Sequence, residues 1–285
     1  MWLWDSRTHQ FITSKALGKC STSFEKMILL HQELFILGIE APDRIFKDFT
    51  NHYYNCTPNK FGVNYGSIIK KIDKEFVLLK KMLDRPDEII LHPKTAPFLR
   101  SILDNPLKSF IFEVGVISHY ISDLHQPLHT DGKDRFADEE TVHKIMEADT
   151  RAHLQDLKIT LKKKRLRIKE PFPYFEDQIY KINKNYDMII DNYYLKKGKV
   201  RPKRWKRVKP IVEFCLSKAA QNVANVILDL EDAPRIFKKM IRHTRLLKKI
   251  KNKLDYKNYY KILSFDTGTL SIRNVNKTIT KAENG

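Results

Sequence analysis

Histidine and carboxylate side chains recur in the middle of this chain at spacings that suit a metal site. Asp123 follows His119 by four residues, and Glu147 follows His143 by four. Residues four apart lie on one face of a helix, so each pair could bind a single ion. His129 lies between the two pairs. Mixed nitrogen and carboxylate donors favour zinc and related metals over magnesium or calcium, which prefer oxygen ligands alone. The sequence therefore predicts a metalloenzyme.

Further candidate ligands stand upstream of these pairs, in the order Trp4, His9, Asp43 and His52. A single histidine on an apolar face is more often a hydrogen-bonded core residue than a ligand. The prediction therefore depends on the order and spacing of the whole series rather than on any one imidazole.

The complete series resembles that of the superfamily of zinc-dependent phospholipases C and single-strand-specific zinc nucleases. Its most specific part is HYISDLHQPLH, which begins at His119, followed by H-x3-E at His143. The resemblance covers residues 2 to 150 directly, and the helices to about Leu230 would complete the family's bundle. It implies a metal-dependent phosphodiester hydrolase, with the phospholipase C branch favoured and a single-strand nuclease as the alternative.

The resemblance also implies how two to three zinc ions would be bound. The first zinc would be bound by Asp43, His52, His119 and Asp123, and the second by His129, His143 and Glu147. A third would be bound by His9, by Asp123, and by the amino and carbonyl groups of an N-terminal tryptophan. Trp4 is not the first residue of this sequence, so Met1 is the predicted source of the terminal amine.

The predicted ligands suit phosphodiester hydrolysis on electrostatic grounds. Divalent ions outweigh the three carboxylates Asp43, Asp123 and Glu147, so the occupied site stays cationic and attracts a phosphate. A water that bridges two ions would have its pKa lowered from about 15.7 toward 7. By the same resemblance Asp43 is the candidate for orienting or deprotonating this water. The alternative for Asp43 is a ligand with no proton-transfer role.

Aromatic residues are concentrated just after His52. They are Tyr53, Tyr54, Phe61 and Tyr65. These side chains could wall a cleft for a lipid headgroup or stack on a nucleobase, or they could simply pack in the fold. Their position beside a predicted ligand makes them candidate substrate-binding residues.

The elements that must position the ligands are predicted to be helices. Helices are expected over Thr8–Leu17, from a capping box at Thr22 to Gly38, over Ser67–Leu83, from Pro106 to Leu124, from Asp138 to about Lys164, over Phe175–Leu195 and over Ile211–Leu230. Pro42 argues against a continuous helix in the loop-rich segment that carries Asp43. No alternating strand pattern competes before the last thirty residues, so the predicted fold class is all-α, a multi-helix bundle around a trinuclear metal site.

The net charge of +19 is distributed unevenly along the 285 residues. Residues 1 to 150 contain 19 basic and 21 acidic residues, which leaves 34 against 13 for the remainder. A basic surface of this kind could bind nucleic acid or an anionic membrane surface, or it could consist of solvated helix faces. Residues 231–285 are expected to form a basic C-terminal extension to a helical domain over residues 1–230.

The composition indicates a cytoplasmic protein that could associate with a membrane surface. No apolar run reaches the eighteen or so residues of a membrane span, and no basic region followed by an apolar stretch marks a secretory signal. The three cysteines, Cys20, Cys56 and Cys215, lack a C-x-x-C pair and fit reduced thiols.

Other helical or metal-dependent classes fit the sequence less well. None of the ten histidines is followed by aspartate, which excludes the His-Asp pair of HD-type phosphohydrolases. The H-E-x-x-H motif of zincin proteases is also absent. A non-catalytic basic helical protein that binds nucleic acid or membrane would explain the C-terminal charge, but it would not explain the ordered ligands.

Overall fold

The structure, a computed structural model, describes residues 6–95, 97–131, 139–164, 166–196 and 199–231. These residues form ten α-helices, three short 3-10 helices and one two-stranded hairpin. The α-helices are α1 Ser6–Leu17, α2 Thr22–Leu30, α3 Gln32–Arg44, α4 Ile68–Asp84, α5 Pro97–Ile102, α6 Pro106–Leu124, α7 Glu139–Ala152, α8 Pro171–Asn183, α9 Tyr186–Tyr193 and α10 Arg204–Glu231. The 3-10 helices span Phe49–Asn51, Pro127–His129 and Leu154–Asp156, and β1 Tyr194–Lys196 pairs antiparallel with β2 Lys199–Val200. The all-α prediction is confirmed.

The central helix is α6, which is buried along almost its whole length. It starts as predicted: the Asn105 side chain caps it by accepting from the Lys108 N–H at 3.0 Å, and Pro106 occupies the first position, where its missing N–H has no consequence. Helices α1, α3, α4 and α10 all pack against it. Because α6 carries two predicted ligands, those ligands lie in the middle of the bundle.

Glycine at position 38 does not end a helix, as the sequence suggested, but allows α3 to approach α6 closely. A Cβ built on Gly38 would overlap the Phe112 carbonyl oxygen, and one on Gly115 would overlap the Phe35 carbonyl oxygen. The prediction that the helix ends at Gly38 is therefore wrong. Helix α3 continues through Pro42 to Arg44, so Asp43 lies on a helix rather than in a loop.

The start of the same helical region also differs from the prediction. The N-cap of α2 is Ser21, whose Oγ accepts from the Phe24 N–H at 3.2 Å, so Thr22 is the first helical residue rather than the cap. The helix is then interrupted at His31, which is the C-cap of α2 and the N-cap of α3. The single helix predicted here is therefore two helices, α2 and α3, because local capping interactions at His31 separate them.

Two helices beyond the central one are shorter than predicted. α7 ends at Ala152 instead of Lys164, and the helix predicted over Phe175–Leu195 is divided into α8 and α9. Asp138, the predicted start of α7, lies outside the described residues. Among the described residues, α7 begins at Glu139. The prediction of one long helix is therefore wrong in both places.

The chain after α7 is extended and lies along α10. Backbone N–H groups of this segment donate to α10 side chains spaced four residues apart. The pairs are Lys158 with Glu213 at 2.8 Å, Thr160 with Ser217 at 3.0 Å, Lys162 with Gln221 at 2.7 Å, Leu166 with Asn225 at 3.4 Å and Ile168 with Asp229 at 2.6 Å. Two extended residues rise about 6.6 Å and four helical residues about 6 Å, so the two repeats match from Lys158 to Lys162 and again from Leu166 to Ile168.

Three further sequence predictions concern cysteines, membrane spans and domains. Cys20, Cys56 and Cys215 are free thiols, as expected. Within the part of the chain that the structure describes, every helix is too short or too polar to cross a bilayer. The predicted basic extension over residues 231–285 lies outside the described residues beyond Glu231, so the domain division stays a prediction.

We expect Gly38→Ala to destabilise the fold although alanine is the better helix former. The added Cβ overlaps the α6 backbone, and such overpacking costs about 1–3 kcal/mol of unfolding free energy. Denaturant unfolding of Gly38→Ala beside Glu33→Ala, an exposed change on the same helix, measures the effect. A Gly38→Ala protein at least as stable as the unmodified chain would refute the close helix contact.

Candidate metal centre

Eight predicted ligands come from six different elements of the bundle. The set is His9 on α1, Asp43 on α3, His52 after the first 3-10 helix, His119 and Asp123 on α6, His129 in the second 3-10 helix, and His143 and Glu147 on α7. The imidazoles converge rather than facing separate regions. Ring centroids lie 4.9 Å apart for His52 and His119, and 5.0 Å apart for His129 and His143.

Asp123 lies at the middle of this set with a fully buried carboxylate. Its Oδ2 is 2.7 Å from His52 Nδ1 and 3.1 Å from His119 Nε2. Its Oδ1 is 3.3 Å from His9 Nε2 and 3.8 Å from His129 Nδ1. An isolated carboxylate would be very unstable at such depth. Four imidazoles from separate elements therefore surround one charge that the fold removes from water.

Within the described residues, three groups of side chains bring their ligand atoms within 4.8 Å of one another. The groups are His9 with His119 and Asp123, Asp43 with His52 and His119, and His129 with His143 and Glu147. All eight predicted side chains therefore occur in them. How these ligands would be divided among individual ions stays a prediction.

The donors fit a divalent cation better than a dry protein core. His52 Nε2, Asp43 Oδ1 and both ring nitrogens of His129 are buried without a hydrogen-bond partner among the described residues. Each buried unsatisfied polar atom costs about 1–3 kcal/mol, so several together require an explanation. A bound ion supplies one, and mixed imidazole and carboxylate donors suit zinc.

Burial keeps two of the imidazoles neutral at physiological pH. Desolvation lowers the pKa of His129 and of His143 to about 3. A neutral imidazole keeps the nitrogen lone pair that a metal requires. For Asp123, burial alone would raise the pKa, but the charge and the hydrogen bond of His119 hold the pKa well below its usual range. These groups are therefore in the protonation states that ligands need.

His119 behaves differently because two carboxylates face it. Burial would lower its pKa, but Asp43 and Asp123 outweigh that effect and raise the pKa to about 10. Its Nε2 lies 3.4 Å from Asp43 Oδ1 and 3.1 Å from Asp123 Oδ2. In the absence of metal, the His119 imidazolium is therefore the cation that balances this part of the site.

The aromatic side chains predicted to wall a cleft lie beside the site and differ in exposure. Tyr53 and Tyr65 pack with ring centroids 5.7 Å apart, and Tyr54 packs edge-on against Tyr180 at 6.5 Å. Phe61 is 77% exposed. Their role in substrate binding stays a prediction. The predicted terminal amine of Met1, and Trp4, lie outside the described residues.

His125 lies in the same motif, but its ring contacts Ile121 and Asn222 rather than the ligands. Its Nδ1 is 2.7 Å from the Ile121 carbonyl oxygen, and its Nε2 is 2.8 Å from Asn222 Nδ2 on α10. Burial lowers the pKa of His125 to about 4, so the ring is a neutral structural link between α6 and α10.

A buried polar cluster beside the metal centre was not anticipated from the sequence. Its members are Asp48, Lys71, Glu75, His92, Glu113 and Tyr120. Lys71 Nζ pairs with Glu75 Oε1 and lies 3.1 Å from His92 Nε2 and 3.6 Å from Asp48 Oδ2. Burial would raise the pKa of Glu75, but His92, Glu113 and Lys71 hold it at about 2.

The same cluster connects to the metal centre through Asp48. Its Oδ2 accepts from the Tyr120 hydroxyl at 2.9 Å, and its Oδ1 accepts from the side chain of Asn51. Tyr120 follows His119, and Asn51 precedes His52, whose ring lies 5.3 Å from that of Tyr120. The cluster therefore supports two of the candidate ligands, His52 and His119, through the residues next to them in the chain.

A sequence signal for part of this cluster existed. Lys71 and Glu75 fall on the face of α4 that is otherwise apolar, through Ile68, Ile72 and Leu79. Four-residue spacing on a buried face predicts a paired, functional or structural charge. Asp48 gave no such signal because its burial depends on the packing of a loop.

The comparison with protein families agrees with this geometry. The model of the family described as zinc dependent phospholipase C matches residues 8–227. The chain belongs to this family. The resemblance predicted from the ligand series is thereby confirmed, and the family is one of metal-dependent phosphodiesterases. The candidate ligands from His9 to Glu147 all lie inside the matched range. No curated protein matches the chain.

We expect Lys71→Met to destabilise the protein by about 3 kcal/mol or more, since removing one partner of a buried ion pair leaves the Glu75 carboxylate without its ammonium partner. Denaturant unfolding measures the loss. Lys70→Met, an exposed neighbour on the same helix, should change stability by less than about 0.5 kcal/mol. Equal effects of the two changes would contradict a buried charge network.

We expect zinc binding near pH 7 to release at least one proton from the metal-free protein. The raised pKa of His119 means that its ring is protonated well below about pH 10, and ligation requires the neutral form. Calorimetric titration in buffers of different ionisation enthalpy measures the release. His153→Gln should leave it unchanged, since His153 lies outside the three ligand groups. Zinc binding without proton release would contradict a protonated His119 that becomes a ligand.

Proposed function

We propose that this protein is a zinc-dependent, phospholipase C-like hydrolase that cleaves the phosphodiester of a phospholipid headgroup. The convergence of eight imidazole and carboxylate side chains around Asp123 supports this proposal most directly. The family match over residues 8–227 gives it a substrate class. Ligands in this arrangement have no evident use in a non-catalytic basic protein, which was the alternative of another class.

Two to three zinc ions would be held by the eight side chains. We assign His129, His143 and Glu147 to one ion and Asp43, His52, His119 and Asp123 to another. The group formed by His9, His119 and Asp123 supports a third ion, for which the amine of Met1 is the predicted further ligand. Bound zinc would supply Lewis acidity, lowering the pKa of water and neutralising charge on phosphate oxygens.

The carboxylates of the site carry less negative charge than the bound ions carry positive charge, so the site can attract an anionic substrate. Asp43, Asp123 and Glu147 contribute three negative charges, so even two divalent ions leave the site cationic. Asp123 has no solvent exposure. A buried cationic site in a water-poor environment binds a phosphodiester strongly, because electrostatic attraction is poorly screened there.

Asp43 is the residue that we propose to orient and deprotonate the attacking water. It is the most exposed of the eight side chains, at 23%. Its Oδ1 lies 3.4 Å from His119 Nε2 and 3.6 Å from His52 Nε2, so it faces both the ligands and solvent. A carboxylate in that place can take a proton from water and pass it outward. The alternative role is that of a ligand alone.

A zinc-dependent single-strand nuclease of the same superfamily is the second candidate. Residues 151–285 carry a large excess of basic residues, and exposed Lys162, Lys163 and Lys164 belong to it. A polyanion would bind such a surface with a steep loss of affinity as salt rises. Hydrolysis of a small soluble phosphodiester would show little salt dependence.

We propose that residues 1–230 form the hydrolase domain, which the family match to residues 8–227 supports. Residues 231–285 would be a basic extension able to bind an anionic membrane or nucleic acid. Free Cys20, Cys56 and Cys215 support a reducing compartment such as the cytoplasm. The protein would act there at the periphery of a membrane.

We expect Asp43→Asn to lower kcat for a generic phosphodiester by about 10²–10⁴-fold while most of the zinc is retained, because the amide keeps an oxygen ligand but cannot accept a proton. Metal analysis and hydrolysis of a generic phosphodiester, phosphatidylcholine and single-stranded DNA test this. His119→Ala should lose both zinc and hydrolysis, and exposed Asp84→Asn neither. Loss of zinc from His119→Ala without loss of hydrolysis would refute the mechanism.

A further inference from the structure

An ordered hairpin-like loop follows His52 and ends in an apolar tip. The Asn55 N–H donates to the Tyr65 carbonyl oxygen at 2.7 Å, and the Asn59 N–H donates to the Val63 carbonyl oxygen at 2.9 Å. The Asn59 side chain accepts from the N–H groups of Phe61 and Val63 at 2.9 and 3.1 Å. We call residues 57–65 the apolar tip. Its conformation is fixed by its own hydrogen bonds.

The side chains of the apolar tip project into solvent. Phe61 is 77% exposed, Val63 57% and Tyr65 56%. Single exposed apolar residues are normal, but three at alternate positions of one hydrogen-bonded turn concentrate exposed apolar surface there. The ammonium of Lys60 lies over the Phe61 ring, 5.0 Å from its centroid, and is the one charge in the segment.

The base of this loop is anchored to the candidate metal centre. The Tyr54 N–H donates to the His129 carbonyl oxygen at 3.0 Å, and the Cys56 N–H donates to that of Thr130 at 2.9 Å. His52 directly precedes the loop. The tip is thus held in a defined position relative to the ligands, so that whatever binds the tip is presented to the site.

The base of the loop contacts α8, which carries aromatic and basic side chains. The ring of Tyr54 packs edge-on against Tyr180 of α8, which is 41% exposed. Next to Tyr180 is Lys181, which pairs with Asp177. Lys162 and Lys218 lie near Lys181, since the pKa of Lys218 is lowered first by burial and then by the charges of Lys162 and Lys181. Aromatic and lysine side chains together suit an anionic lipid–water interface.

We propose that the apolar tip inserts into a phospholipid surface that contains anionic lipid, and so docks the metal centre against its substrate. Phe61 and Val63 would enter the acyl region while Lys60 stays at the level of the headgroups. A single-stranded nucleic acid would stack on Phe61 or Tyr65 but would gain nothing from aliphatic Val63, so lipid is the better occupant. The proposal rests on the proposed function only for the identity of the substrate.

The test measures vesicle binding separately from hydrolysis. The full-length protein is sedimented with vesicles of phosphatidylcholine, with and without phosphatidylserine, and the variants Val63→Ser and Phe61→Ser are compared with it. Val77→Ser, which removes an equally exposed valine from α4, is the matched control. We expect each tip variant to lower the partition coefficient about tenfold, in keeping with the loss of one inserted apolar side chain.

Hydrolysis of a soluble phosphodiester by Val63→Ser should remain unchanged, since Val63 is not among the candidate ligands or substrate-binding residues. Failure of the wild type to bind vesicles, or equal binding by the tip variants, would overturn the docking proposal. Loss of single-stranded oligonucleotide binding alone in the tip variants would overturn it in favour of nucleic acid. Vesicle binding by a chain that hydrolyses no phosphodiester would instead refute the proposed function and leave the docking surface intact.

Discussion

The fold depends on a carboxylate that has no access to water. Asp123 is fully buried in the central helix, and its two oxygens are met by imidazoles from α1, α6 and two connecting segments. The free energy of such a charge is acceptable only when positive or hydrogen-bonding groups surround it. The elements that carry these imidazoles must therefore pack around Asp123. The same contacts stabilise the core and form the candidate metal centre.

Two structural devices bring these groups within reach of Asp123. Gly38 and Gly115 let α3 and α6 approach until backbone contacts backbone, which places Asp43 beside His119. In addition, the ion cluster of Lys71 holds Asp48, which in turn accepts hydrogen bonds from Tyr120 and Asn51. Close packing and buried charge thus both support the ligands, although Gly38, Gly115 and the residues of the charged cluster are not ligands themselves.

Much of the candidate site could be predicted because its signals are local. His119 with Asp123, and His143 with Glu147, share helix faces by spacing alone, and Asn105-Pro106 marks the start of α6 without reference to other elements. Gly38 misled the prediction because a glycine that ends a helix and one that admits a neighbouring helix have the same sequence signature. The extended segment at Lys158–Ile168 was missed because α10 side chains, far along the chain, satisfy its N–H groups.

The sequence by itself determined the donor types, their order and the helices that carry His119, Asp123, His143 and Glu147, since side-chain chemistry and helical periodicity are properties of neighbouring residues. Only the tertiary structure decided which donors share a neighbourhood, that His129 and His143 are buried and neutral while His119 is held protonated, and that an apolar tip stands beside them. Those properties depend on desolvation and on distances between elements far apart in the chain, and no local pattern of residues encodes them.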